Sequence, residues 1–117
     1  MNTPDNPTNK VFDPIKDHNP KTIIALIEAA KIKIDKASNM TEIANIINTF
    51  AVSIIDNDTY ALYKSSSDLK EKTKILSNFY RSNNVYSYAL ELIKYTPKRF
   101  HNTTIYKDLL ETYSNLN

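Results

Sequence analysis

Not one of the 117 residues of this chain is glycine. Glycine is the residue that most readily takes a positive φ and lets the backbone approach a ligand closely. Dinucleotide-binding fingerprints, phosphate-binding loops, nucleophile elbows and calcium loops all need glycine at fixed positions. The sequence therefore excludes the best-known catalytic and nucleotide-binding motifs.

The lack of glycine also favours helices over hairpins, because a helix can end on an asparagine in the left-handed conformation. Apolar residues recur every three to four positions along most of the chain, which is typical of amphipathic helices. We predict an all-α fold, a compact bundle of five or six short-to-medium helices with antiparallel neighbours.

Residues 1–19 differ in composition from the rest of the chain. They contain three prolines and several asparagines and aspartates, and their only apolar island is Val11, Phe12 and Ile15. This composition is typical of a flexible segment. We predict a disordered N-terminal arm over 1–19, whose island either docks on the body or on a partner or stays unbound. A single helical domain is predicted over 20–117.

Capping signals mark the first two helices of this domain. Asn19 suits an N-cap and Pro20 suits the first helical position, where no amide hydrogen is needed. Asn39 followed by Glu42 has the spacing of a capping box, although Thr41 is a rival cap. The sequence therefore predicts helices that begin at about residues 20 and 40.

Similar signals mark the later helices. Asp58 is the expected cap of a short third helix, and either Asn102 or Thr103 the cap of the last one. Asn83 and Asn84 stand where glycine would often separate two helices. The predicted helices span about 20–37, 40–55, a short segment that includes 60–63, 68–82, 85–95 and a last segment from 103 almost to 117.

The second predicted helix is the most apolar, and no charged residue lies between Glu42 and Asp56. Its less apolar face includes Asn45, Asn48 and Ser53, which are polar but uncharged. We expect this helix at the centre of the bundle, because a small helical domain needs one element covered on most sides. The alternative is that its uncharged face forms an interface, for example in a homodimer.

The span from Ile75 to Tyr113 loosely resembles a tetratricopeptide repeat, with aromatic and small residues on two amphipathic segments separated by Pro97. It departs from that repeat because the turn lacks glycine, the proline comes early and no 34-residue period recurs in the first half. The resemblance implies antiparallel helix pairs and nothing more.

The residues do not suggest catalysis or metal binding. The only histidines are His18 and His101, which are not spaced to place two ligands on one helix face, and there is no cysteine. Asp56 and Asp58 do not form a calcium loop, because Ala61 and Ser67 stand where glycine and glutamate are needed. We expect no enzymatic activity, no cofactor and no metal site.

Charge is uneven along the chain. Residues 1–58 carry six lysines and eight acids, and residues 59–117 carry nine basic residues and five acids, so the halves have charges of −2 and +4. The first twenty residues lack the basic start and apolar core of an export signal, and no apolar run is long enough to span a membrane. We predict a cytoplasmic protein without membrane contact, whose second half favours an acidic partner.

The second half also holds all eight tyrosines, between Tyr60 and Tyr113, which are too many for a small core to bury with their hydroxyls paired. Exposed tyrosines beside basic residues are typical of protein interfaces. We therefore predict a non-catalytic protein-binding module, a small adaptor or inhibitor of the kind found in phages, viruses, bacterial immunity and effector systems. Nucleic-acid binding by the same basic patch is the alternative. The candidate contact residues are Lys70, Lys74, Arg81, Tyr86, Tyr95, Lys98, Arg99 and Phe100.

Overall fold

The computed structural model describes residues 20–114, so the predicted arm over 1–19 and residues 115–117 lie outside the described range. Within that range the chain forms six α-helices and no strand, which confirms the all-α prediction. The helices are α1 (Pro20–Lys36), α2 (Met40–Val52), α3 (Asn57–Ser65), α4 (Leu69–Ser82), α5 (Tyr86–Tyr95) and α6 (Thr104–Ser114), with a 3-10 turn at Lys98–Phe100 between α5 and α6.

The predicted cap of α2 is confirmed. The Asn39 side chain accepts a hydrogen bond from the amide of Glu42 at 2.8 Å, while the Glu42 carboxylate accepts one from the amide of Ser38 at 2.9 Å. Two amides at the start of the helix are thus satisfied by side chains. Asn39, and not Thr41, is the N-cap.

The predicted cap of α3 is wrong by two residues. The carboxylate of Asp56 accepts from the amide of Thr59 at 2.9 Å, so Asp56 is the cap and Asp58 lies in the first turn. Either aspartate has the side-chain carboxylate that a cap needs, and Asp56 has the extended backbone of a cap.

The cap of α6 is Thr103. Its hydroxyl accepts a hydrogen bond from the amide of Tyr106 at 3.1 Å, which selects Thr103 over Asn102.

Of the two asparagines predicted to replace glycine at the end of α4, Asn84 is the one that does so. Its φ of 61° is the only positive value among residues 20–114. The amide of Val85 donates to the carbonyl of Tyr80 at 2.9 Å, and the amide of Asn84 donates to that of Arg81 at 3.2 Å. These two bonds define a Schellman motif, which closes α4 and redirects the chain into α5.

The expectation that the second helix is central also holds, because α2 contacts α1, α4, α5 and α6. Its buried side chains include Ile43, Ile47 and Phe50, and they belong to one continuous apolar core shared with α1, α4, α5 and α6. Asn48, predicted on the uncharged face, is 2 % exposed and donates to the Thr73 hydroxyl on α4 at 3.1 Å. The buried amide thus joins α2 to α4.

The short helix α3 lies at the edge of the bundle. It packs on α4, and none of its residues is fully buried. Its half-buried rings, Tyr60 and Tyr63, lie against the core. On α1, Ile23, Ile27 and Ile34 form a buried stripe, whereas the adjacent Ile24 is 58 % exposed.

Candidate functional site

The eight predicted contact residues occupy two separate parts of the bundle. Lys70, Lys74 and Arg81 lie on α4, beside Glu111 and Thr112 near the end of α6. The other five belong to α5 and to the 3-10 turn that precedes the start of α6; they are Tyr86, Tyr95, Lys98, Arg99 and Phe100. Lys98, Arg99 and Phe100 therefore precede the start of α6, whereas Arg81 lies near its end and Tyr86 follows Arg81 across the turn between α4 and α5.

In the 3-10 turn, the guanidinium carbon of Arg99 lies 4.5 Å from the centre of the Phe100 ring. Phe100 is half-buried and packs on the core, whereas Lys98 and Arg99 are exposed. The next residue, His101, places Nε2 2.7 Å from the Thr96 carbonyl oxygen and stacks on Tyr106 with ring centres 4.1 Å apart. Phe100 and His101 thus fix the turn to the body, and the two cations project from it.

Tyr95 is held by contacts within the chain. Its hydroxyl donates to the Asp35 carboxylate at 2.9 Å, and the Lys31 ammonium lies 5.2 Å from the centre of its ring. The hydrogen bond to Asp35 raises the pKa of Tyr95. Lys31 also pairs with Glu91 at 3.0 Å, and this hydrogen bond raises the pKa of Lys31. These residues join α1 to α5 at the surface, so Tyr95 is a structural contact although it is 39 % exposed.

A groove between α4 and α6 is the clearest concave feature beside the predicted contact residues. One half has a volume of about 280 Å³ and is lined chiefly by the apolar side chains Leu69, Ile105 and Leu109. The other half, of about 330 Å³, is lined by polar and charged residues that include Lys74 and Arg81. The two halves adjoin each other, because they share the lining residues Lys70, Glu111 and Thr112.

The walls of this α4–α6 groove carry opposite charges. Lys70, Lys74 and Arg81 are spaced by 4 and 7 residues, so they fall on one side of α4. On α6, Asp108 and Glu111 are three residues apart and form the facing wall. Neither Lys70 nor Lys74 forms an ion pair with a residue of 20–114, and the same holds for the two carboxylates.

Of the four basic residues of α4, only Lys72 does not line this groove. The Lys72 ammonium lies 5.0 Å from the centre of the Tyr63 ring and covers α3. Arg81 does line the groove, where its guanidinium donates to the Asn78 side chain at 2.9 Å. The basic wall thus runs from Lys70 to Arg81, and the hydrogen bond to Asn78 on the same helix orients the Arg81 guanidinium.

Sequence reasoning found the basic wall but missed the acidic wall and the apolar floor. Asp108 and Glu111 have helical spacing, but no pattern in the sequence indicates that α6 packs beside α4. Leu69 and Ile105 follow the apolar spacing of their helices and pack against the core, and the structure leaves both partly exposed at the groove. Both residues lie at the edge of the apolar stripe of their helix, and this position was the one feature of the sequence that could have indicated their partial exposure.

The requirements of a metal site and of a membrane-spanning helix are not met by the described residues. Between residues 20 and 114, no three side chains of His, Cys, Asp or Glu are grouped so as to hold a metal ion. None of the helices α1 to α6 has the length and apolar character needed to cross a membrane.

No protein-family model matches the chain, and no curated protein or solved structure shows significant similarity to it. The function must therefore be inferred from the surface of the bundle.

Proposed function

We propose that this protein is a non-catalytic protein-binding module, a small cytoplasmic adaptor or inhibitor, which binds a segment of its partner in the α4–α6 groove. The observation that carries the proposal is an apolar floor between a basic wall and an acidic wall. Protein-binding surfaces commonly combine an apolar centre with a charged rim.

The floor and walls suggest the chemistry of the bound segment. An apolar side chain of the partner fits over Leu69 and Ile105, where it buries surface that is now half-exposed. Acidic side chains face Lys70 and Lys74, in agreement with the predicted preference for an acidic partner. Opposite charges on the two walls also set the direction in which the segment lies, because reversing it would place like charges together.

The acidic wall favours a protein over a nucleic acid. A phosphate backbone that followed Lys70 and Lys74 would also pass Asp108 and Glu111, which repel it. Lys98 and Arg99 remain exposed, but they lie at the opposite end of α6 from Arg81. Nucleic-acid binding is therefore the second hypothesis.

The proposal is tested by selecting peptides from a random displayed library with the full chain and measuring the affinity of those selected. We expect peptides in which acidic residues, which face Lys70 and Lys74, lie on one side of an apolar residue, and basic or neutral residues, which face Asp108 and Glu111, lie on the other. The double variant K70E/K74E should bind them about tenfold or more weakly, because two favourable charge contacts become repulsive. The control variant K94E makes the same kind of charge change at an exposed position of α5 and should bind normally.

Equal loss of binding in the K70E/K74E and K94E variants would contradict the α4–α6 groove as the site. Labelled single-stranded and duplex DNA, titrated at low and moderate salt, test the second hypothesis. Tight DNA binding that falls steeply with salt, without selection of acidic peptides, would replace the proposal by nucleic-acid binding.

A further inference from the structure

A second groove lies on a different part of the bundle, between α1 and α2. It has a volume of about 370 Å³, and its apolar lining includes Leu26, Ala29, Ile46 and Phe50. Its polar lining includes Asn45 and Thr49, which belong to the uncharged face predicted for the second helix, or lie next to it. No described residue fills this α1–α2 groove, although apolar side chains line it.

We propose that the apolar island of the chain's own N-terminal segment, Val11, Phe12 and Ile15, occupies the α1–α2 groove. Residues 1–19 directly precede α1, and outside this island they are mostly polar or charged. Three apolar side chains within five residues suit a groove floored by Leu26 and Phe50, because both surfaces leave water together.

The chain is long enough for this placement. Ile15 is five residues from Pro20, so it reaches about 17 Å in an extended chain, and Val11 reaches about 31 Å. Leu26 lies about 9 Å along α1 from Pro20, and Lys33 lies about 20 Å along it. The island therefore spans the groove if the segment folds back along α1.

The charged residues of the segment and of the groove are complementary if the segment folds back along α1. Residues 37–39 join α1 to α2, so Lys33 and Glu42 lie at the end of the groove farthest from Pro20. Asp13 lies within the island in sequence, and Lys10 precedes it. In the proposed placement the Asp13 carboxylate would face Lys33 and the Lys10 ammonium would face Glu42. Both pairs join opposite charges.

A second copy of the chain is the other occupant to consider. Two α1–α2 grooves brought together by a two-fold axis would place one concavity against another and leave the space between them empty, which is unfavourable. The tethered island has an effective concentration in the millimolar range and needs no association between molecules. The inference is independent of the α4–α6 groove.

The absence of cysteine from the sequence permits a direct test in the full chain. Thr49 is exposed on the groove wall, so the variant T49C carries a single nitroxide label there. Paramagnetic broadening of amide signals then reports which residues come near. In the proposed placement residues 11–15 lie beside Thr49, so we expect their amide signals to be weaker by about twofold or more with the paramagnetic label than after the label is reduced.

Two controls accompany this measurement. A label at K107C, on the exposed side of α6, should leave residues 11–15 unaffected. The triple substitution V11S/F12S/I15S should clearly reduce the broadening from T49C, leaving only what the tether to α1 causes, and unchanged broadening would contradict docking of the island. If T49C does not fold, N45C offers a second exposed site on the same groove wall.

Three results would overturn the proposal. The first is no broadening of residues 11–15 from the groove label, and the second is equal broadening from both labels. The third is broadening that appears only when the label and the observed nuclei are on different molecules, which would assign the groove to a second copy. Peptide selection by the α4–α6 groove is unaffected by any of these results.

Discussion

The hydroxyl of Tyr80 on α4 donates a hydrogen bond to the main-chain carbonyl of Ala51 at the end of α2, at 3.0 Å. Tyr80 is fully buried, and its ring meets that of Tyr113 edge to face with centres 5.9 Å apart. Tyr113 is equally buried, but its hydroxyl finds no hydrogen-bond partner among residues 20–114. Two neighbouring tyrosines thus differ in one polar contact.

Removing these two hydroxyls should have different effects on stability. Tyr80→Phe loses the bond to Ala51 and should lower the free energy of unfolding by about 1 kcal/mol. Tyr113→Phe removes a buried, unpaired hydroxyl and should leave stability unchanged or raise it by up to about 1 kcal/mol. Urea unfolding followed by circular dichroism measures both, and an equal loss in the two variants would contradict the contrast.

The Schellman motif at Asn84 makes a prediction about the position where glycine is replaced. Asn84→Ala should destabilise the protein by about 1 kcal/mol, because a β-carbon is unfavourable in the left-handed conformation. Asn84→Gly should cost little or stabilise slightly, since glycine takes this conformation without strain. Asn83→Ala is the neighbouring control and tests a different contact, the side-chain bond to the Phe79 carbonyl at 2.9 Å.

How much of this could be predicted from the sequence depends on the range of the interactions. The helices, the Asn39 cap and the left-handed asparagine follow from residues close together in the chain. The ambiguity between Asp56 and Asp58 is also local, but either residue satisfies the capping rule, and only the backbone shows which one caps α3.

Contacts distant in sequence were not predictable in the same way. The partner of Tyr95 is Asp35, sixty residues away, and no periodic pattern links them. The predicted contact residues share charge and aromatic character, but the packing of α6 between them sets their positions. The α4–α6 groove combines Lys70 with Glu111 because those two helices are neighbours, which is a property of the tertiary structure.

The peripheral helix α3 should open more readily than the rest of the bundle. It has no fully buried residue and is held to α4 by half-buried rings, of which Tyr63 is covered by Lys72. Elements with few buried contacts open locally at low free energy. In native-state hydrogen exchange, the amides of α3 should exchange faster than those of α2 by several orders of magnitude.

Tyr63→Ala extends this test, because it removes one of the two rings that attach α3. It should speed amide exchange in α3 further. The amides of α2 should still exchange with an opening free energy equal to that of global unfolding. Protection of α3 equal to that of α2 in the unmodified chain would show that the helix unfolds only with the whole protein.

Stability should fall in alkaline solution. Burial raises the pKa of Tyr80 and of Tyr113 well above the usual tyrosine value of about 10. Above that pH the unfolded chain loses phenolic protons that the folded chain retains, so the unfolded state binds fewer protons and the free energy of unfolding decreases as pH rises. Each group contributes a slope of up to about 1.4 kcal/mol per pH unit between its unfolded and folded pKa values. Below about pH 9 these two groups contribute no pH dependence.

Urea unfolding at several pH values between about 9 and 11 measures this slope. The double variant Tyr80→Phe/Tyr113→Phe lacks both phenols and should show a clearly smaller decrease than the unmodified chain. Part of the decrease should remain, because the hydrogen bond to Glu91 raises the pKa of Lys31 and deprotonation of that lysine acts in the same direction. An identical slope in the double variant and the unmodified chain would show that the two buried tyrosines do not cause the alkaline loss of stability.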